Sequence, residues 1–179
     1  MTHSRYHCSR MAKPLAMMSK HNGKQMITLR KMTAAEFADY LPSAIEDYAR
    51  DLSDNHGYSL AVGRDNAARI MHDYLPEGPD TADHRLWCVV CDDERVGYLW
   101  VSLRNLPEAF ICDFSILPEW RRRGYGRAAL TALDSELTAA GCTEVALRVA
   151  ANNPHARALY ESHAFHLTGY TMARQLVRN

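Results

Sequence analysis

Hydrophobic and polar residues repeat with two different periods along this chain, and the order of the two periods predicts an α/β fold. Apolar side chains at near-helical spacing predict helices, whereas runs rich in Val, Ile, Trp and Phe predict strands. The predicted helices cover residues 37–48, 63–74, 124–140 and 153–163, and the predicted strands cover residues 26–31, 86–91, 96–103, 109–117, 145–149 and 165–176. Strands that alternate with helices in this order indicate a mixed sheet.

Capping residues define the ends of the predicted helices. Thr33 is a suitable N-cap for the first helix, and Glu36 three residues later completes a capping box. Gly141 ends the long third helix, and Asn153 with Pro154 begins the fourth. The breaks between the second, third and fourth strands are short, which suits antiparallel hairpins and predicts a meander.

The first residues of the chain differ from the remainder. Residues 1–25 show no sustained period, so we expect a flexible tail there. Residues 26–179 are predicted to form one domain, because a chain of 179 residues fits a single core. No long apolar run occurs, and we do not expect a membrane-spanning segment.

Charge is balanced over the whole chain but not along it. The 21 basic residues match 21 acidic residues, so no global field draws the protein to nucleic acid or to an anionic membrane. Residues 34–83, however, hold eleven acidic residues against three arginines. This acidic block, residues 34–83, is a candidate surface for a cationic partner.

The five cysteines are odd in number and scattered, which favours a reducing cytoplasm. Cys88 and Cys91 form a C-x-x-C inside a predicted strand, where a spacing of three places the side chains on opposite faces. We interpret them as buried small hydrophobic residues rather than as a redox pair or metal ligands, and we expect no metal.

The start of the third predicted helix carries the main candidate chemistry. Two glycines remove side chains from its first turn, so backbone N–H groups can approach an anion at the helix N-terminus. The surrounding arginines add ionic contacts. The segment consists of Arg121, Arg122, Arg123, Gly124, Tyr125, Gly126 and Arg127. The spacing of its glycines differs from that in the phosphate loops of NTPases and dinucleotide-binding proteins. The alternative interpretation of the arginines is a solvated surface or a weak nucleic-acid-binding patch.

These residues resemble the GNAT superfamily of acyl-CoA-dependent N-acyltransferases, whose cofactor motif is Q/R-x-x-G-x-G/A. A second family motif, N-x-x-A-x-x-L-Y-x-x-x-G-F, is matched by Asn153, Ala156, Leu159, Tyr160 and Phe165. Ala164 departs from it by replacing the usual glycine, which implies a different exit from the helix. The resemblance covers residues 84–176 and implies a mixed, mostly antiparallel sheet, flanked by helices and splayed at the acetyl-CoA site.

The resemblance also implies roles for residues of the cofactor site. Backbone N–H groups of residues 122–127 would hold the pyrophosphate of coenzyme A, and the pantetheine arm would follow the strand near Phe114 and Ile116. The N–H near Phe114 would polarise the thioester carbonyl. Asn153 would hydrogen-bond the pantetheine arm, and Tyr160 would protonate the leaving thiolate, its alternative role being that of a packed aromatic ring.

A base is also needed, because an alkylammonium is protonated at neutral pH and cannot attack a thioester. The family often places a glutamate on the fourth strand, but Phe110 and Cys112 stand where we would look for it. Asp113 is the acid inside that strand, and we predict it as base or acceptor ligand, with a structural role as the alternative. A covalent mechanism through Cys112 would need a nearby histidine, so direct transfer is favoured.

The acceptor is predicted from charge, because cationic molecules suit an acidic surface. Asp54 of the acidic block, together with Trp87, Trp100 and Asp113, is predicted to bind a small cationic amine. The sharpest hypothesis is an aminoglycoside of the kasugamycin type, which would make the protein a resistance enzyme. Acetylation of a protein or peptide and a non-catalytic acetyl-CoA sensor are the alternatives. A homodimer through the final strand is also considered.

Overall fold

The computed structural model describes residues 26–174, and residues 1–25 and 175–179 lie outside the described residues. The tail over residues 1–25 and the extent of the single domain therefore stay predictions. The strands are β1 (Ile27–Lys31), β2 (His84–Cys91), β3 (Glu94–Asn105), β4 (Glu108–Ile116) and β5 (Glu144–Leu147). The helices are α1 (Ala34–His56), α2 (Leu60–Tyr74), α3 (Tyr125–Ala139) and α4 (Pro154–Glu161), with short 3-10 turns at Gly78–Asp80 and Pro118–Trp120.

The five strands form one sheet in chain order, from β1 to β5. Neighbouring strands are antiparallel from β1 to β4, which confirms the predicted meander. Strand β5 pairs with β4 in parallel after the chain has crossed over through α3. Asp92 and Asp93 both have positive φ, as a tight two-residue hairpin turn between β2 and β3 requires. The mixed, mostly antiparallel fold class is therefore confirmed.

Two hydrophobic clusters lie on opposite faces of the sheet. The first contains Leu130 and Leu133 of α3, and the second contains Tyr40 of α1 together with residues of α2. Cys91 belongs to the first cluster and Cys88 to the second. The C-x-x-C therefore spans both faces, as its spacing predicts, and both thiols are buried in packing contacts.

Helix boundaries follow the capping residues. Thr33 and Glu36 form the predicted capping box at the start of α1. Helix α2 begins three residues before its predicted start, because the hydroxyl of Ser59 accepts a hydrogen bond from the backbone N–H of Val62. Gly141 has a φ of 84°, and this left-handed residue follows the end of α3 as predicted.

The predicted final strand, residues 165–176, is wrong over its described part. Residues 165–174 form no strand, and residues 175–176 lie outside the described residues. Phe165 packs against the first hydrophobic cluster, but the later apolar side chains are exposed to solvent, including Tyr170 at 83% and Met172 at 92%. A strand requires a neighbour for its backbone and a core along one face, and the described residues provide no partner strand for this segment and no core beyond Phe165.

Candidate active site

A cleft opens where β4 and β5 separate. The two strands pair from Glu108 opposite Glu144 to Ile111 opposite Leu147, after which β5 ends and β4 continues to Ile116. The predicted strand over 145–149 is therefore shorter at this end. A cavity of about 160 Å³ lies at the separation, lined by Ile111, Cys112, Asp113, Phe114, Leu147, Arg148, Val149, Ala150, Asn153, Ala156 and Tyr160. Asp113, Phe114, Asn153 and Tyr160, all predicted site residues, are thus brought together.

A β-bulge directs two consecutive side chains of β4 to this cleft. Trp100 of β3 pairs with Asp113, and the next residue, Val101, pairs with Ile111, so that Cys112 has no opposite residue. Strict alternation would send Cys112 and Asp113 to opposite faces of the sheet. Because the bulge adds one residue to β4, both side chains face α1: Cys112 packs against the second hydrophobic cluster, and Asp113 contacts the helix directly. Both residues line the cleft.

Asp113 is held by a contact from helix α1. The hydroxyl of Tyr40, on α1, donates a hydrogen bond of 2.8 Å to Oδ2 of Asp113. Burial raises the pKa of the Asp113 carboxyl, and the nearby charge of Asp47 raises it further, whereas the hydrogen bonds from Tyr40 and from the backbone of Phe114 lower it. Burial has the largest effect, so this carboxylate holds a proton more readily than an exposed aspartate does.

Tyr160 approaches the same cleft from α4. Burial and the charge of Asp113 raise the pKa of the Tyr160 phenol to about 12, so it carries its proton at neutral pH. Its ring also packs edge-on against Phe165, with the ring centroids 5.5 Å apart. Asn153 is the N-cap of the same helix, because its Oδ1 accepts a hydrogen bond of 3.1 Å from the backbone N–H of Ala156. Helix α4 therefore positions both predicted residues along one wall.

The turn before α3 has the backbone geometry of an anion site. Gly124 has a φ of 84°, and no atom lies within 4 Å of the position that a Cβ would occupy there. Arg122 is also left-handed, with a φ of 59°. The first N–H groups of a helix have no partner within the helix, and at α3 they follow this open turn. The geometry fits a bound phosphate group.

Gly126 has a packing role that was not expected from the sequence. A Cβ at Gly126 would lie 3.0 Å from Cδ2 of Leu159 in α4 and 4.0 Å from Cγ1 of Ile116 in β4. The glycine therefore allows α3 to pack closely against the helix that carries Tyr160. Packing is the role observed for this glycine, and its role in ligand approach stays a prediction.

The arginines of the turn contact different parts of the protein. Arg121 donates a hydrogen bond of 2.8 Å to the carbonyl oxygen of Ile116, the last residue of β4. The guanidinium of Arg123 lies 5.2 Å from the ring centroid of Trp120. Arg127 donates a hydrogen bond of 3.3 Å to the hydroxyl of Ser162 at the end of α4. Three of the four arginines thus also stabilise the turn and the two elements beside it.

Of the four predicted acceptor residues, Asp113 lines the cavity and the other three do not. Trp87 and Trp100 are buried, on opposite faces of the sheet, and Trp100 donates a hydrogen bond of 2.9 Å from Nε1 to Nδ1 of His84. Asp54 is exposed on α1 and does not line the cavity. Packing is the role observed for both tryptophans, and their contact with an acceptor stays a prediction.

The sequence analysis did not predict a role for Arg148, which lines the cleft, or for Tyr40, which contacts Asp113. Arg148, which follows β5, forms an ion pair of 2.7 Å with Asp51 of α1 and contacts His56 at 3.2 Å. Tyr40 looks like a core aromatic in the helical pattern, and its contact with Asp113 spans 73 residues. No local pattern in the sequence reports either contact.

Two further kinds of feature are absent from residues 26–174. No group of three or more His, Cys, Asp or Glu side chains in this range is arranged to hold a metal ion. None of the helices in the same range has both the length and the apolar character needed to cross a membrane.

Comparison with known proteins decides the family. The acetyltransferase (GNAT) family pattern matches residues 64–165, more than half of the chain. This chain belongs to the GNAT acetyltransferase family. It is similar to the uncharacterized N-acetyltransferase YycN of Bacillus subtilis, at 32% identity over 84% of this chain and 99% of YycN. The crystal structure of YycN matches with a TM-score of 0.79 and 31% identity, over 86% of this chain and 100% of that one.

Other GNAT proteins show how varied the acceptors are. The [ribosomal protein bS18]-alanine N-acetyltransferase of Salmonella typhimurium is 37% identical over 41% of this chain and 49% of that protein. The structure of spermidine N-acetyltransferase from Vibrio cholerae with CoA and spermine matches at a TM-score of 0.60 and 19% identity, over 86% of this chain and 88% of that one. Aminoglycoside N-acetyltransferase AAC(6')-Iy with CoA matches at 0.58 and 15%, over 87% and 98%.

Family membership establishes the reaction class. This GNAT protein is an acetyl-CoA-dependent N-acetyltransferase. The last two structures share the fold with it, and their low identity leaves the acceptor open.

Proposed function

We propose that this GNAT protein transfers the acetyl group of acetyl-CoA directly to a primary amine of a small cationic acceptor. The observation that carries the proposal is the meeting of Asp113 and Tyr160 in the cleft between β4 and β5. One is a carboxyl group with a raised pKa, and the other is a phenol that stays protonated. A base and an acid in the same cleft are what aminolysis of a thioester requires.

The proposed donor site runs from the turn before α3 into the cleft. Backbone N–H groups of residues 122–127 bind the pyrophosphate, supported by the open, left-handed backbone at Gly124. Phe114 and Ile116 line the path of the pantetheine arm along β4. Asn153 reaches the same arm through its Nδ2, since its Oδ1 is bonded to the backbone of α4. Acetyl-CoA supplies the activated acetyl thioester.

Proton transfers complete the proposed reaction. Asp113 accepts a proton from the acceptor ammonium, directly or through one water, so that the neutral amine can attack the thioester carbonyl carbon. The backbone N–H of Phe114, which also hydrogen-bonds the Asp113 carboxylate, stabilises the negative charge that develops on the carbonyl oxygen. As the carbon–sulfur bond breaks, Tyr160 donates its proton to the sulfur. The second proton of the attacking nitrogen returns to the Tyr160 phenolate through water, and Asp113 releases the first proton to solvent. The products are the acetylated amine and the free thiol of coenzyme A.

A small cationic acceptor is supported by charge at the acceptor side of the cleft. Asp113 lies in the cleft and Asp47 lies close enough to influence it. Arg148 also lines the cleft, but Asp51 offsets its charge through their ion pair. The named acceptors of two proteins with this fold, an aminoglycoside and spermidine, are small polyamines. An aminoglycoside is our specific candidate, with the protein acting on it in the cytoplasm.

A peptide acceptor is the second candidate. It is favoured by the partial match to the [ribosomal protein bS18]-alanine N-acetyltransferase, which modifies a protein. An acceptor panel separates the two candidates. Aminoglycosides, polyamines and peptides are each supplied with acetyl-CoA, and thiol release is followed.

Turnover of aminoglycosides or polyamines supports the proposal, whereas turnover of peptides alone overturns the small-amine assignment. Asp113→Asn and Tyr160→Phe are each expected to lower kcat by about 10²-fold or more. If no acceptor accelerates thiol release, or if Tyr160→Phe changes nothing measurable, the non-catalytic acetyl-CoA-binding regulator is supported instead.

A further inference from the structure

We infer that Tyr40, on helix α1, is a positioning residue for Asp113, fixing the orientation of its carboxylate and favouring its charged form. The inference rests on the proposed function, in which Asp113 is the base. It assigns a role in the reaction to a residue of α1 that does not line the cleft.

The Tyr40 ring is anchored by packing. Only 2% of Tyr40 is exposed, and its ring lies against Tyr98 and Phe37, with centroid separations of 5.0 and 6.3 Å. A ring held on two sides has little rotational freedom, so its hydroxyl occupies a defined place. That hydroxyl donates its hydrogen bond to Oδ2 of Asp113 at 2.8 Å.

Asp113 needs such an anchor because of where it lies. The residue follows the bulge at Cys112, where the regular pairing of β3 with β4 is interrupted. A carboxylate has about four positions for accepting hydrogen bonds, so the bond from Tyr40 leaves others for an ammonium proton. Tyr40 therefore restrains the carboxylate without occupying all of its capacity.

Charged and titratable groups from each surrounding element affect Asp113. On α1, Tyr40 favours its charged form through the hydrogen bond, whereas Asp47 disfavours it. Tyr160 on α4 and Cys112 on β4 both interact electrostatically with it. From the chain after β5, Arg148 lines the same cavity. Since a hydrogen bond to the charged form lowers a pKa, loss of the Tyr40 hydroxyl raises the pKa of Asp113.

The test compares Tyr40→Phe with Tyr98→Phe, a matched loss of one hydroxyl from the neighbouring buried ring. The pH profile of kcat/KM is measured for both and for the wild type, with acetyl-CoA and the acceptor of the panel that is turned over fastest. Activity should fall as pH decreases and Asp113 becomes protonated, and this falling part of the profile is its acidic limb. Because every variant receives the same acceptor, titration of the acceptor amine contributes equally to each profile.

We expect Tyr40→Phe to move this acidic limb upward by about one pH unit, which corresponds to the strength of a hydrogen bond to a charged group. Below the limb, kcat/KM should fall by about tenfold. Tyr98→Phe should leave the limb where it is. The role of Tyr40 would be overturned if the two variants had the same profile. It would also be overturned if Tyr40→Phe lowered kcat/KM by the same factor at every pH.

A second measurement makes the outcome independent of the acceptor. In protein labelled with ¹³C at the aspartate carboxyl carbons, the Asp113 signal is assigned from its loss in Asp113→Asn, and its titration is followed in each variant. An upward shift in Tyr40→Phe alone supports the inference, and no shift overturns it. An acidic limb that persists in Asp113→Asn would instead overturn the assignment of Asp113 as base.

Discussion

Gly126→Ala probes whether the contact between α3 and α4 positions Tyr160. A Cβ at Gly126 would lie 3.0 Å from Cδ2 and 3.6 Å from Cδ1 of Leu159. The shorter distance is inside the optimum of about 3.5–4.0 Å between carbon atoms, so either the Leu159 side chain or α4 must move. Overpacking of this kind costs about 1–3 kcal/mol. Because Leu159 precedes Tyr160, movement of α4 also displaces the phenol.

The expected result is a loss of about 1–2 kcal/mol in the free energy of unfolding, measured in urea, together with a lower kcat. Leu159→Val removes both Cδ atoms and should restore part of the loss when combined with Gly126→Ala. A double-mutant cycle should therefore give a favourable coupling energy of about 1 kcal/mol between the two positions.

Gly124→Ala is the matched control two residues earlier. It places a Cβ in open space, where no atom lies within 4 Å, but at a φ of 84°. The left-handed backbone alone costs an L-residue about 1–2 kcal/mol, so this variant is destabilised without a clash. It should show no coupling to Leu159→Val. Additive effects of Gly126→Ala and Leu159→Val, or an unchanged kcat in Gly126→Ala, would refute the reasoning.

Three further predictions concern other parts of the molecule. Glu36→Gln weakens the α1 capping box and removes an ion pair to β1, so it should lower the free energy of unfolding in urea by about 1 kcal/mol at pH 7. The pKa of Glu36 is lowered in the folded protein. The stability difference between wild type and Glu36→Gln should therefore shrink as pH falls below about 4. Asp51→Asn leaves the charge of Arg148 uncompensated at the cleft, so steady-state kinetics should show a several-fold higher KM for a cationic acceptor, whereas calorimetry should show unchanged CoA affinity. Burial raises the pKa of Cys112 to about 12, so its alkylation by iodoacetamide at pH 8, followed by mass spectrometry, should be slow in the folded protein and fast in urea. An unchanged KM or rapid labelling of folded protein would contradict the last two.

Local patterns in the sequence were sufficient for much of the fold. The capping box at Thr33, the left-handed stop at Gly141 and the N-cap at Asn153 occur as predicted, because each depends on residues only a few positions apart. The prediction of a final strand was wrong because the apolar residues of that segment carry no information about a partner strand. The start of α2 was missed by three residues because the cap at Ser59 was overlooked.

The sequence by itself predicted acetyl-CoA as the donor and a turn to hold it, while the tertiary structure decided how the cleft is built. The turn from Arg121 to Arg127 is contiguous, so its anion-binding geometry can be inferred locally. The bond from Tyr40 to Asp113 and the ion pair from Asp51 to Arg148 join residues 73 and 97 positions apart. Which side chains meet over such distances depends on sheet register, on one bulge and on helix packing, and none of these is encoded in a short motif.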